Sequence, residues 1–432
     1  MILRLSSNAQ RGLLIVASFA VALILSYFSI RNALAAHYAG LQNVESLDRA
    51  THLEPTSPRN WYLLGRYLQY NLEDPDAARA IRSYLSALSL NPRSSDTWLD
   101  LATTYESEGN LTAARDAFLH AKRVYPLSPE VSWRYGNFLL RQRELDPAFA
   151  EMRRAVEADP GRGAEAFSRS LRVEPNIEKI LDRVLPPIGE VYVDVIWDQI
   201  THGQTDIALK VWDRLVAIHP RVPLRDVFPL VGALRKSKRI TDARRVWDQA
   251  VLAAGMADLQ GPPGSVLWDG GFESGVTGGG YSWLFPEGLR NVQISIDARE
   301  THSGDHSLRL TFDGKSVVTS TDICHYVPVQ PLTSYRLSAW MKTRAVTTDQ
   351  GVRFQLRSPG TQDLSVAAMP ELHGSGPWTR MEIPWSSGKD VQEVQVCLVR
   401  FLSDQLENKI KGTTWVDDVA LVPESSAEHL KP

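Results

Sequence analysis

The stretch 98-WLDLATTYESEGNLTAARDAFLHAKRVYP-126 is followed, 34 residues on, by 132-SWRYGNFLLRQRELDPAFAEMRRAVEADP-160. Trp98, Leu101, Ala102, Tyr105, Ala114, Phe118, Ala121 and Pro126 recur as Ser132, Tyr135, Gly136, Leu139, Ala148, Met152, Ala155 and Pro160. A helical pair this short cannot bury its own apolar face, so the period predicts stacked pairs forming a solenoid. An earlier copy runs through Trp61, Leu64, Gly65, Leu68, Ala80, Tyr84, Ala87 and Pro92, with a short insertion at Asp74-Pro75-Asp76. Two later copies use Tyr192, Val195, Ala208, Trp212, Leu215 and Pro220, then Val227, Leu230, Ala243, Trp247 and Ala250. Between them, 161–187 keeps helical segments (164–173 and 177–185) without the signature. All these apolar positions read as core, with proline closing each second helix.

The spacing resembles the tetratricopeptide repeat (TPR). That resemblance implies a concave groove on the first helices that holds a peptide or partner domain. By position it selects Tyr62, Arg66 and Gln69, then Leu99, Thr103 and Glu106, then Trp133, Asn137 and Arg141. Their mixture of aromatic, amide and both charge signs suits an extended peptide; solvated helix positions with some aromatic packing are the plainer reading. A half-repeat between Ala36 and Pro55 brings the solenoid up to the apolar N-terminal segment.

After Gly261-Pro262-Pro263-Gly264 the texture changes to short alternating runs between Gly, Ser, Asp and Pro turns, among them 307–312, 335–343, 352–357, 391–400 and 414–422. That pattern predicts an antiparallel sandwich. Three strings are more specific: Asp269-Gly270-Gly271-Phe272-Glu273, His302-Ser303-Gly304-Asp305-His306-Ser307-Leu308, and Trp415-Val416-Asp417-Asp418-Val419. With Tyr335-x-Leu-Ser-x-Trp340 and Trp378-Thr379, they resemble the galactose-binding-like jelly rolls, in particular carbohydrate-binding modules of xylanases and glucanases. The resemblance implies no required cofactor but allows a structural calcium held by Glu273 with Asp417 or Asp418; otherwise Glu273 caps a turn and the aspartates end a strand. It implies a glycan stacked on aromatic faces, for which Tyr281, Trp283 and Phe285 beside Gly278-Gly279-Gly280, then Trp340, Gln355 and Arg357, are the candidates.

Cys324 and Cys397 are the only cysteines; they form either a disulfide or two buried thiols on different strands. Leu13 to Ile30 is apolar except for three serines, at the lower length limit for a membrane span. Arg4 and Arg11 precede it, which puts the N-terminus in the cytoplasm and the bulk of the chain in the periplasm, single-pass in the inner membrane. Ala33-Leu34-Ala35 also fits a signal-peptidase site, although the apolar run exceeds the usual signal length.

A net charge of −3, with basic residues scattered among acidic ones, gives no reason to expect nucleic acid. The His302/His306 pair lies on a turn rather than a helix, and no CxxC, GxSxG, Walker A or dinucleotide glycine motif occurs. The expectation is therefore a multidomain, non-catalytic chain: an all-α TPR solenoid, then an all-β jelly-roll sandwich, with one N-terminal transmembrane helix. The boundaries are a cytoplasmic N-terminus at 1–12, an anchor at 13–31, repeats at 35–255, a linker at 256–264, the sandwich at 265–424 and a tail at 425–432. Such a chain would act as an exported adaptor, holding a protein partner in the solenoid and glycan on the sandwich, in surface polysaccharide synthesis or export. A scaffold that binds no sugar and a divergent polysaccharide-modifying enzyme are the alternatives.

Overall fold

A computed structural model describes residues 8–218, 221–286, 292–315, 317–318, 321–358, 365–404 and 408–424. Arg4, Pro220 and the expected tail at 425–432 lie outside the described residues. The chain divides into two compact units, Met1–Pro186 and Pro187–Pro432. The division falls inside the helical half rather than at the 256–264 linker.

Unit 1 is a run of helices: α1 (Asn8–Gly40), α2 (Val44–Leu53), α3 (Pro58–Tyr70), α4 (Ala77–Leu90), α5 (Ser95–Ser107), α6 (Leu111–Val124), α7 (Pro129–Arg141), α8 (Leu145–Ala158), α9 (Gly163–Leu171) and α10 (Ile177–Arg183). Their starts are encoded locally. Asn43, Asp76, Ser94, Asn110 and Ser128 each accept a hydrogen bond from the backbone N–H three residues on, and Pro58 and Pro129 occupy first-turn positions where no N–H is needed. The repeat positions Leu64, Tyr84, Leu101, Phe118, Leu139 and Met152 are buried. Burial of each large side chain contributes about 1.5–3 kcal/mol. The irregular stretch after Pro160 is a shorter pair, α9 and α10. Helix α1 is long and apolar enough to cross a membrane by length and composition, and its apolar window is exposed throughout. Only near its C-terminal end, at Ala35 and Ala39, is α1 buried.

Unit 2 begins with two further helical pairs, α11 (Gly189–Thr201) with α12 (Thr205–Ala217) and α13 (Phe228–Lys236) with α14 (Ile240–Ala253). Among the described residues ten strands follow: β1 (Trp283–Leu284), β2 (Val292–Asp297), β3 (Ser307–Asp313), β4 (Ile323–Pro328), β5 (Ser334–Val346), β6 (Val352–Arg357), β7 (Ser365–Ala368), β8 (Gly374–Ser386), β9 (Glu393–Arg400) and β10 (Lys411–Pro423). They form two antiparallel sheets, β1-β4-β9-β6-β7 and β2-β3-β10-β5-β8, the jelly-roll sandwich expected. Leu308, Leu310, Leu337, Phe354, Val396, Leu398, Val416 and Leu421 fill the space between them.

Cys324 and Cys397 face each other in register on β4 and β9 and are joined by a disulfide. They lie with Val399 in a small cluster separate from the main core. Beside them His325 is buried, its Nδ1 2.7 Å from the Tyr326 carbonyl and its Nε2 3.0 Å from that of Trp268. Desolvation outweighs these two carbonyls and pushes the imidazole down from 6.5 to about 4. The folded ring stays neutral while the unfolded one takes up a proton. Stability tied to His325 is therefore complete above pH 6.5 and is lost as pH falls towards 4, with a slope of up to ~1.4 kcal/mol per pH unit. In urea titrations across that window, His325→Gln is expected to flatten the acid limb relative to wild type; parallel limbs would show that His325 does not carry it.

The helices of unit 2 press directly on the sandwich, which is why the unit boundary sits at residue 187. Trp247 of α14 packs edge-on against Trp268 (5.2 Å) and Tyr281 (6.1 Å). Arg235 of α13 lies 3.4 Å over the Tyr326 ring and pairs with Glu393 at 2.6 and 3.0 Å.

Candidate binding sites

In unit 1 the residues expected to line the groove are largely committed to one another. Asp100, with a 7% exposed side chain, is their centre. Tyr62 donates its hydroxyl to Asp100 Oδ2 (3.1 Å), and Arg66 Nε lies 3.7 Å from the same oxygen. Arg134 donates two bonds to Oδ1 (3.0 Å each) and one to Thr103 Oγ1 (2.7 Å). Burial beside Asp100 raises the Tyr62 hydroxyl well above its ordinary range. Arg141 makes a two-point pair with Glu106, both bonds 2.7 Å.

Several groove expectations are corrected by packing. Leu99 and Trp133 are buried, and Trp133 is flanked by the guanidinium groups of Arg162 (5.2 Å) and Arg169 (5.0 Å). Asn137 is buried and accepts from Arg169 (2.7 Å), and Gln69 accepts from the buried Tyr84 hydroxyl (2.6 Å). What remains open is Arg66, 52% exposed, with its guanidinium 5.8 Å from the rings of both Tyr62 and Tyr70, and the Arg141–Glu106 pair. Asp100, Arg134, Arg169 and Tyr70 went unread in the sequence. The signal for two of them was there: Asp100 and Arg134 are 34 residues apart, so equivalent positions of these two repeats carry opposite charge.

In unit 2 the structure does not assemble the expected glycan candidates. Tyr281 (2% exposed) and Trp283 (1%) are interior. Trp283 stacks on Phe272 at 4.9 Å and donates to the Asp269 carbonyl, and Phe285 is half-buried against the core. The neighbouring glycines are there for close approach, not to display aromatics: a Cβ on Gly280 would lie 2.2 Å from Trp247, and one on Gly279 2.2 Å from Phe228. Gln355 is buried and accepts from Arg357, which also pairs with Asp322. Both belong to the sheet opposite Trp340.

Trp340 remains. It is half-buried on β5, in register with Arg380 of β8 and Asp417 of β10. One face stacks on His302 at 3.9 Å and 15°. The indole and Arg380 border a cavity of about 660 Å³ whose lining includes Ser338, Ala420 and Val422 from the sheet, Asp258, Leu259, Gly261, Pro262 and Pro263 from the preceding segment, and Glu273 and Asp418. An aromatic ring, a guanidinium and carboxylates around one cavity can stack a ring and bond its hydroxyls.

At one end of this cavity are the carboxylates expected to hold calcium, each hydrogen-bonded within the protein. Glu273 Oε1 accepts from the N–H groups of Asp305 (2.8 Å) and His306 (3.1 Å), and its Oε2 lies 2.7 Å from His306 Nδ1. Asp417 Oδ2 accepts from His302 N (2.8 Å) and Ser303 N (3.2 Å), and Asp418 pairs with His302 Nδ1 and Ser303 Oγ. Gly304, at φ 60°, lets this turn sit against Glu273, where a Cβ would lie 2.1 Å from Oε1. Each of these carboxylates is thus engaged by amide, hydroxyl or imidazole groups of the 302–306 turn. Among the described residues no three His, Cys, Asp or Glu groups converge as a metal set. Burial pushes Asp417 and Asp269 up to about 6 against these donors. The melting temperature of the full chain is expected to be equal in calcium and in EDTA; a rise with calcium would restore the metal.

Compared with known proteins, a tetratricopeptide-repeat family model matches residues 62–129 and 99–163. This part of unit 1 consists of tetratricopeptide repeats. No curated protein matches the chain. Among solved structures, YrrB, a TPR protein with an unusual peptide-binding site, is 15% identical over 49% of this chain and 94% of its own, with a TM-score of 0.26. A CBM4 structure is 13% identical over 33% of this chain and 88% of its own (TM-score 0.26). TmCBM61, solved with β-1,4-galactotriose, is 17% identical over 37% of this chain and 99% of its own (TM-score 0.26). The jelly-roll assignment rests on the strand order of unit 2 itself.

Proposed function

We propose that the chain is a non-catalytic, membrane-anchored adaptor. Its repeats hold an extended segment of a partner protein, and its sandwich contacts glycan in the cavity beside Trp340. The observation that carries the glycan reading is that half-exposed indole standing across from Arg380 over a cavity of about 660 Å³. In the repeats, the exposed Arg66 framed by Tyr62 and Tyr70 suits a carboxylate-bearing peptide, because a guanidinium oriented by aromatic rings presents a planar fork of donors to a carboxylate. The anchor reading is supported by the continuity of α1. Ala33-Leu34-Ala35 lies within this helix, and Ala35 is fully buried, so cleavage there would cut a helix at a packed residue. Arg11 before the apolar run sets the N-terminus in the cytoplasm and the remainder outside it.

The burial of Tyr281 and Trp283 favours a second reading, a scaffold that binds no sugar. One experiment separates the two. Full-length chain in nanodiscs is screened on a glycan array alongside Trp340→Ala and Arg380→Ala. The adaptor gives binding that Trp340→Ala abolishes and Arg380→Ala weakens, the latter with an unchanged melting temperature. A silent array from folded wild type supports the scaffold, and release of a cleaved or modified sugar would make the protein an enzyme.

A further inference from the structure

Short connections make successive helices of unit 1 antiparallel. The connections 54–57, 91–94 and 125–128 therefore lie along one edge of the repeat array, and 41–43, 71–76, 108–110 and 142–144 along the other. Helix α1 is antiparallel to α2 and so parallel to α3. Its apolar portion consequently projects from the first edge, the one where α3 begins. No glycine or proline interrupts 13–39, so nothing hinges the exposed portion against the part that packs at Ala35 and Ala39. Residues 8–30 extend about 30 Å beyond the edge, one hydrocarbon thickness. If α1 spans a bilayer, the lipid surface meets the array along this edge.

Its side chains suit that position. Leu127 is 89% exposed and Tyr125 53% in the connection 125–128, and Leu90, the last residue of α4 before the connection 91–94, is 42% exposed. Arg59, Arg93 and Arg123 balance Glu54, Asp96 and Glu130 there. The opposite edge exposes apolar side chains too, Leu41 (50%), Tyr70 (52%) and Leu72 (99%), but within the same two-residue margin it carries Glu45, Glu73, Asp74, Asp76, Glu106, Glu108, Glu144 and Asp146 against Arg141 and Arg143. Eight carboxylates to two cations repel an anionic surface, whereas a charge-balanced edge bearing tyrosine and leucine is what interfaces accept, so charge rather than apolar exposure separates the two edges.

We infer that the edge formed by 54–57, 91–94 and 125–128 lies on the lipid surface, with Leu90, Tyr125 and Leu127 in the headgroup zone. The inference rests on the anchor reading, and its test distinguishes the two. Full-length chain carrying an NBD label at Leu127→Cys, Leu72→Cys or Val16→Cys is placed in nanodiscs containing phosphatidylglycerol and headgroup- or chain-spin-labelled lipid; the native cysteines are bonded and unreactive. Val16 within the span should be quenched by chain-labelled lipid, Leu127 by headgroup-labelled lipid with blue-shifted emission, and Leu72 by neither. Quenching at Val16 with Leu127 as unquenched as Leu72 overturns the edge contact and leaves the anchor standing. No quenching at Val16 overturns the anchor itself.

Discussion

Replacing Arg235 with methionine is expected to destabilise the full chain by about 3–5 kcal/mol in chemical denaturation. The side chains of Arg235 and Glu393 are only 16% and 8% exposed, and the pair is made by two bonds with the guanidinium resting on Tyr326. Removing the cation strands a carboxylate in a site that water cannot reach, and that penalty exceeds the lost attraction. The same argument predicts rescue: Arg235→Met with Glu393→Leu should recover most of the loss, because no charge remains buried. A single variant as mild as an exposed ion-pair deletion, under ~1 kcal/mol, would mean that α13 and β9 are not held together in solution.

The second large effect is expected at Gly280. Its φ of 60° disfavours any side chain, and the added Cβ would fall 2.2 Å from the Trp247 ring. Gly280→Val should combine a backbone term of about 1–2 kcal/mol with an overpacking term of about 1–3 kcal/mol. Gly275→Ala is the control, since its φ is 64° but nothing lies within 4 Å of its Cβ. It should show the backbone term alone. Comparable denaturation midpoints for the two variants would contradict the close packing of α14 on the 278–280 loop.

These two contacts also mark the limit of what could be read in the chain. The 34-residue period placed the buried faces of the repeats because each helix carries its own apolar stripe. The strings at 269–273, 302–308 and 415–419 announced a jelly roll because turn chemistry is local. Gly278-Gly279-Gly280 beside three aromatics read as a displayed ligand loop, since nothing within thirty residues reveals that Phe228 and Trp247 will press on it. Trp340 was legible as a candidate through the string Tyr335-x-Leu-Ser-x-Trp340, whereas its pairing with His302 and Arg380 depends on strand register. Asp100 was missed by a single position: the groove was carried over through Leu99, and on a helix one residue turns a side chain about 100°.

Strand β10, which follows β1 to β9 in the chain, lies between β3 and β5 in the middle of its sheet. Until residues 411–423 are synthesised, that sheet exists as two separate pieces with open edges, and β4 cannot close its bridge to β9 before residue 397 has appeared. The sandwich is thus a late event in the life of the chain. A product ending anywhere before residue 411 would carry unpaired strand edges and lack the strand that joins the two pieces, a state prone to aggregation and open to proteases. Synthesis of residues 411–423 is the step that joins the two pieces of this sheet.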